Sequence, residues 1–287
     1  INAVTPDGFA EAVNALERGQ PLAALPVLDA TVEPLVPFLG LGEISGNMTT
    51  IAALYLDALA SVEAWDRALG LVQRVPIAKV APTFLDSVSK TVLAMREAGA
   101  PQGDDLISAI LQTADWDRPQ LERVMALAGA RRDSGGFDDA FQLYRMAQAY
   151  DSDLQIEARL WAAYAGLHSG REQAAEVLLR EVPPIEPGEA VFALRKLIEA
   201  QMAERGGNLD EAMAAAAQGR VYANTSQPWY PELLHTVASL YQRLGEAGAA
   251  RLAHEQVVVL FPQTPWAEAG RLALDAGDKP DSQESSE

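Results

Sequence analysis

The sequence contains no cysteine. That absence excludes disulfides, thiolate-held zinc, iron–sulfur clusters and cysteine nucleophiles together. Basic residues are few: 22 Lys and Arg stand against 40 Asp and Glu, a formal charge of −18. Such a field repels phosphate backbones, so no nucleic-acid partner is expected, and acidic solvated helix faces account for the excess. Long apolar runs are scarce. The most apolar, Gln256–Pro262 (QVVVLFP), falls far short of the ~18–20 residues that cross a bilayer, so no transmembrane segment is expected. Sustained strand alternation is also missing. Histidine occurs only as His168, His235 and His254. None belongs to HExxH and no two are four apart on one helix, so no metal site is expected. His168 stands at a helix end, where capping is the ordinary role, and His254 falls on a packing position. No P-loop and no GxSxG elbow occurs, and neither an enzyme activity nor a cofactor is expected.

What is present is a large apolar fraction. Hydrophobic residues make up 49% of 287, ample for a continuous core. They recur at helical spacing between short Gly, Pro and Asn breaks. The spacing predicts helices over 9–18, 49–64, 66–75, 83–98, 104–114, 119–134 and 138–150. It continues with 154–169, 171–181, 189–205, 209–220, 231–244, 247–261 and 265–275. The pairs Asp104/Asp105, Asp138/Asp139 and Asp210/Glu211 each open such a helix, where capping and dipole compensation explain them. The stretch Asp151–Glu157 (DSDLQIE) is read as another cap rather than a calcium loop. Trp65 and Trp161 read as packing residues; Trp116, Trp229 and Trp266 stand near helix starts, where packing is favoured over ligand contact.

A repeated grammar runs through GGFDDAFQLYRMA, SGREQAAEVLLRE, GGNLDEAMAAAAQG and LGEAGAARLAHEQV. Each has a Gly turn, a few polar residues, then an alanine: Ala140, Ala174, Ala212 and Ala250, spaced 34, 38 and 38 residues apart. Ala68 lies about two further periods upstream, with a degenerate unit around Leu106 between. Ala212 and Ala216 share a face and Ala200 opposes them, so small side chains let two helix backbones approach. Gly206 and Gly207 supply the turn and Asn208 or Asp210 a cap.

This pattern resembles the tetratricopeptide repeat, a helix–turn–helix unit of about 34 residues. The segment Pro231–Pro262 carries most of the signature: Leu234, Val237, Ala238, Tyr241, Gly245, Ala250, Val257 and Pro262. Val124, Leu127, Ala128, Tyr144 and Ala147 match in one earlier unit, and Trp161, Ala162 and Ala165 in the next. Lys196 and Glu199 depart from it, standing where large apolar residues are usual.

The resemblance implies an all-α fold, a right-handed α-α superhelix of antiparallel helix pairs forming a solenoid. The expected organisation is an irregular helical cap over 1–48, degenerate repeats over 49–118 and regular repeats with a closing helix over 119–276. A disordered acidic tail is expected over 277–287. The family's concave groove maps onto Glu122, Met125, Arg132, Arg159, Leu197, Gln201, Glu204, His235, Ser239 and Gln242. The set lacks the Lys and Asn cluster with which related domains clamp a C-terminal carboxylate. The expectation is a non-enzymatic scaffold for another protein or peptide. The ending VVLFPQTPWAEAGRLAL resembles that of helical-repeat proteins of the bacterial envelope. A first residue that is Ile1 rather than Met fits a removed leader, hence a periplasmic location. A cytoplasmic regulatory adaptor, and a glycan-binding or enzymatic solenoid, are the alternatives.

Overall fold

A computed structural model describes residues 7–41, 46–150 and 152–277. Asp151 of the expected cap and most of the acidic tail lie outside the described residues, as do residues 1–6 and 42–45. The described residues form fifteen α-helices and no strand. In order they are α1 (Phe9–Glu17), α2 (Pro21–Val32), α3 (Gly46–Ser61), α4 (Trp65–Arg74), α5 (Pro82–Glu97), α6 (Gln102–Gln112), α7 (Arg118–Asp133) and α8 (Phe137–Ala147). Then come α9 (Gln155–His168), α10 (Glu172–Arg180), α11 (Phe192–Arg205), α12 (Leu209–Tyr222), α13 (Tyr230–Arg243), α14 (Ala247–Leu260) and α15 (Pro265–Gly277). The fold is all-α, as the periodicity predicts.

One backbone device generates the pairs. Gly19, Gly99, Gly135, Gly170, Gly207 and Gly245 all adopt φ between +66° and +80°, each between the two helices of a hairpin. At the α11–α12 turn the Gly207 N–H donates to the Glu204 carbonyl (3.1 Å) and the Asn208 N–H to the Ala203 carbonyl (2.9 Å). That is the Schellman arrangement, which satisfies the last helix carbonyls and reverses the chain. Only Gly207 needs the left-handed region there; Gly206 is helical at φ −71°. The α3–α4 hairpin uses the same turn without a glycine. Glu63 stands at φ +57°, with the Glu63 N–H donating to Ala60 and the Ala64 N–H to Leu59. From Glu63 onward the left-handed residues within hairpin turns are spaced 36, 36, 35, 37 and 38 apart. The period therefore begins well before Pro119.

The chain forms two compact units, Ile1–Ala165 and Gly166–Glu287. In the first, α3, α5 and α7 pack side by side, and so do their partners α4, α6 and α8. The buried face is built from branched and aromatic side chains, among them Leu56, Leu59, Leu71, Phe84, Val88, Leu106 and Ile110. Leu106 is fully buried at the degenerate repeat position. The N-terminal stretch contains a helix the periodicity misses, α2, which packs on α1 and α3 through Ala24, Leu25 and Leu28. Pro21 at its first turn is permissive, whereas Pro26 lies inside it, which hides the pattern.

The same stretch corrects the expectation about apolar runs. Pro21–Phe38, helix α2 continued by a 3-10 segment, is 18 residues long with mean hydropathy 1.2, enough by length and composition to cross a bilayer. Within this unit its acidic residues are neutralised: Asp29 meets Tyr55 and Arg67, and Glu33 pairs with Arg74 at 2.6 Å.

In the second unit α11 packs on α12 and α13 on α14, with α15 closing on α13 and α14. Ala200, Ala212 and Ala216 are fully buried, so the small side chains lie where the two helices of the hairpin approach. Gly219 continues the stripe: a Cβ there would stand 3.1 Å from Lys196 Cβ and 3.4 Å from Leu233 Cδ1. Lys196 and Glu199, the departures from the repeat pattern, pair with each other at 2.6 Å. Arg195 joins Glu199 at 2.8 Å, and the Lys196 ammonium lies 5.6 Å from the Phe192 ring centroid. Partial burial of an ion-paired Lys thus replaces a large apolar residue.

Candidate functional site

The expected caps do not form as side-chain bonds. Helices α6, α8 and α12 carry their acidic pairs in the first turn, where the dipole favours them, but none has a side-chain cap. Two of those carboxylates hold arginines instead. Asp139 accepts from Arg131 (2.9 Å) and Arg96 (2.9 Å), and Arg96 also reaches Asp104 (2.6 Å). The Arg131 and Asp139 side chains are only 12% and 13% exposed, so this linkage ties α5, α6, α7 and α8 in a partly dry setting.

Of the groove positions in the first unit, Glu122 is exposed and pairs with Arg118 at 3.1 Å, while Met125 is half-buried. Arg159 donates to Gln148 Oε1 at 3.1 Å. Arg132 is engaged in an aromatic stack: its guanidinium carbon lies 3.8 Å from the Trp161 ring centroid, and Nη1 is 3.4 Å from the Tyr144 hydroxyl. Tyr144 stacks on Trp161, which meets Tyr164 edge-on at 5.5 Å. Burial pushes the Tyr144 hydroxyl well above the usual phenol range, against the opposing Arg132 charge. The cation fixes the stack rather than facing solvent.

In the second unit Leu197 is fully buried, so its side chain presents no accessible surface. Gln201 is 9% exposed and bridges three helices: Nε2 donates to Glu232 Oε1 at 2.6 Å, and Oε1 lies 3.2 Å from His168 Nε2. Glu232 is itself 4% exposed and 3.8 Å from His168. His168, read from sequence as a cap, is thus the half-buried end of a polar chain whose other members are buried. Burial holds its pKa below the ordinary imidazole value, with Arg205 acting the same way and the Gln201 bond opposing. Sequence reasoning missed Glu232, whose position two residues into α13 reads as a dipole-favoured surface acid. Nearer the surface, Glu204 pairs with Arg243 at 2.9 Å and Gln242 is exposed.

His235 and Ser239 lie one turn apart, with Ser239 Oγ 3.5 Å from His235 Nε2. The His235 ring is 5.4 Å from Trp266 on α15 and 5.6 Å from His254 on α14. His254 is 3% exposed, which agrees with a packing position, yet neither ring nitrogen has a hydrogen-bond partner. Burial lowers the pKa of both rings; for His235, repulsion from His254 adds to that and Glu204 opposes it. Trp116, Trp161 and Trp229 are buried, as packing residues should be. No group of three or more His, Asp or Glu placed to hold a metal occurs among the described residues.

These features define an all-α protein built of helix hairpins. No family model matches the sequence, and no curated protein matches it significantly. Among solved structures the chain is similar to the C-terminal part of a TPR repeat-containing protein from Cytophaga hutchinsonii. Identity is 14%, the alignment covers 91% of this chain and 98% of that one, and the TM-score is 0.42. No residue role is carried across at that level.

Proposed function

We propose that the chain is a non-enzymatic scaffold that holds a protein or peptide segment against the first helices of its hairpins. The observation that supports this reading is the layered polarity of α11 and α13. A mostly buried chain (His168, Gln201, Glu232) fixes the helices internally, and a half-exposed pair (Glu204, Arg243) with exposed Gln242 stands at their outer end. Side chains anchored from beneath lose little freedom on binding, which is the condition for a preorganised recognition surface. The net charge of −18 fits a partner that is not a nucleic acid. The FPQTPWA ending supports placing the scaffold in a bacterial cell envelope, in the periplasm.

The experiment is crosslinking and capture of partners from the native organism, followed by binding assays with charge-reversed variants. Glu204→Arg with Gln242→Ala should weaken the captured partner ~10–100-fold, because a charge-assisted contact and a polar contact are removed. Arg180→Glu with Gln218→Ala, on the exposed sides of α10 and α12, should leave affinity unchanged. The reverse ranking overturns the first-helix assignment. Recovery of the native protein solely in the cytoplasmic fraction overturns the envelope location.

A further inference from the structure

We propose that the outer face of α12 and α14 is a docking surface for a basic amphipathic helix of another protein. The second unit carries eight of the eleven large apolar side chains that stand exposed among the described residues. Four of them form a repeated pattern. Val221 and Tyr222 of α12 are 76% and 51% exposed; Val259 and Leu260 of α14 are 74% and 53% exposed. Each α14 position follows its α12 counterpart by 38 residues, the interval between the turn glycines Gly207 and Gly245. The exposed pairs therefore occupy one and the same place in two successive hairpins. Gln218 and Gln256 share a second such place, and Ala214 and Leu252, also exposed, share a third.

On each helix these places run i, i+4, i+7 and i+8, the spacing of a single face. That face points away from the buried residues Ala212, Ala216, Ala250 and Val257, so packing within the hairpin does not call for it. None of its eight positions is charged, in a chain where 22% of residues are. A second helix does not need such a face: the exposed side chains of α8 are Asp138, Gln142 and Arg145. The two stripes are neighbours, since Arg220 of α12 donates to Gln256 Oε1 of α14 at 3.1 Å. Adjacent apolar ridges of this kind hold a third helix in the furrow between them, through side chains at i, i+3, i+4 and i+7. Charge selects the occupant. Asp210, Glu211 and Glu246 are exposed at the starts of the two helices, and none of them pairs with a cation among the described residues. A second copy would set −18 against −18, and an anionic bilayer would repel the same field. A helix with one apolar face and flanking lysines satisfies both the ridges and the carboxylates.

This surface is separate from the first helices α11 and α13, and its use does not depend on theirs. The test uses a short fluorescent peptide of leucine and lysine, its leucines at helical spacing, titrated into the full chain at physiological salt and followed by anisotropy. Saturable binding is expected, at least about tenfold tighter than that of a peptide of the same composition whose order breaks the spacing. Val221→Glu with Val259→Glu should weaken binding about 30-fold or more. That loss is diagnostic, because the two added negative charges would strengthen a purely electrostatic attraction to lysines. Gln142→Glu with Ala149→Glu adds the same charge at exposed positions of the first unit and should change affinity less than about twofold. Asp210→Asn, Glu211→Gln and Glu246→Gln together should weaken binding about 3–10-fold. Glu204→Arg with Gln242→Ala should leave the peptide's affinity unchanged, which separates a failure here from a failure at the first helices. Circular dichroism checks that each variant is folded. No saturable binding, equal binding of the reordered peptide, or unchanged affinity in the folded Val221→Glu/Val259→Glu protein overturns the surface. Self-association of the wild-type chain, or its uptake by anionic vesicles, that this double change abolishes would assign the face to a second copy or to a membrane, and either overturns the helical partner.

Discussion

The two units build the same hairpin from different materials. In the first, α4 and α6 present Leu71, Val72, Leu106 and Ile107 to their surroundings, and large side chains keep helix axes apart. Arginine–carboxylate links then span the polar side, above all Arg96–Asp139–Arg131. In the second, α12 presents Ala212, Ala216 and Gly219, and α11 and α12 pack more extensively than any other pair of helices. Its polar links include a buried amide–carboxylate chain, the Glu204–Arg243 ion pair and contacts of three histidines; the first unit has no histidine. The lesson is that a repeat fixes the turn and leaves the seam free. The first seam should therefore respond more to lost charge, and the second more to added side-chain volume.

That contrast can be broken by substitution. The largest effect expected is for Asp139→Ala, which removes the only carboxylate on partly buried Arg131 among the described residues and one of the two on Arg96, and should cost about 2–3 kcal/mol. Chemical denaturation would measure it, and a loss below about 0.5 kcal/mol would remove the charge-sensitive half of the comparison.

Next comes Ala212→Leu, which inserts a branched side chain at a fully buried position of the α11–α12 hairpin and should cost about 1–3 kcal/mol. Ala214→Leu, on an exposed position of the same helix, should be near neutral. Equal melting shifts for the two would show that the α11–α12 seam is not volume-sensitive.

Turn substitutions are smaller and should behave alike in both units. Gly207→Ala forces a Cβ into the left-handed region and should cost about 1 kcal/mol. Glu63→Gly should do the opposite and stabilise by about 0.5–1 kcal/mol, because it relieves the one hairpin turn that lacks glycine among the described residues. A destabilised Glu63→Gly protein would mean that the Glu63 side chain contributes something the turn geometry does not show.

The subtlest difference is in pH response. Burial depresses the pKa of His168, His235 and His254 in the folded state. The unfolded chain therefore binds protons first, so the stability these neutral rings provide is full above the ordinary histidine value of about 6.5 and is lost as pH falls through it. Hydrogen exchange compared at pH 7.5 and 6, corrected for intrinsic rates, should show earlier loosening of α11–α14 than of α3–α8. Replacing all three histidines by glutamine should remove the difference.

Much of the architecture is legible from the chain because its signals are local. Gly135, Gly170, Gly207 and Gly245 mark turns, and the alanines 5 residues beyond Gly135, Gly207 and Gly245 mark the seams. The earlier turns are harder to read, since Glu63 does the work of a glycine and α2 carries Pro26 in its interior. The polar positions are legible as types and not as environments. Arg132 reads as a groove cation, yet Trp161 lies against it from another helix. Gln201 finds Glu232 across 31 residues, and Arg96 finds Asp139 across 43. No periodicity within one helix reports a partner at that separation. Leu197 belongs to a first helix packed on several sides, where helical spacing cannot separate a groove face from a core face.

The left-handed turn has a kinetic consequence as well. Each hairpin closes by backbone bonds between residues five apart or fewer, and its two helices meet over a span of about one repeat. Contacts of such short range cost little loop-closure entropy, so a hairpin is able to form before its neighbours exist. Folding of such an array starts wherever a hairpin first closes and spreads to the next, a process paced by the slowest turn and not by chain length. The α3–α4 hairpin, whose chain reversal must hold a glutamate at positive φ, is where that process should pause.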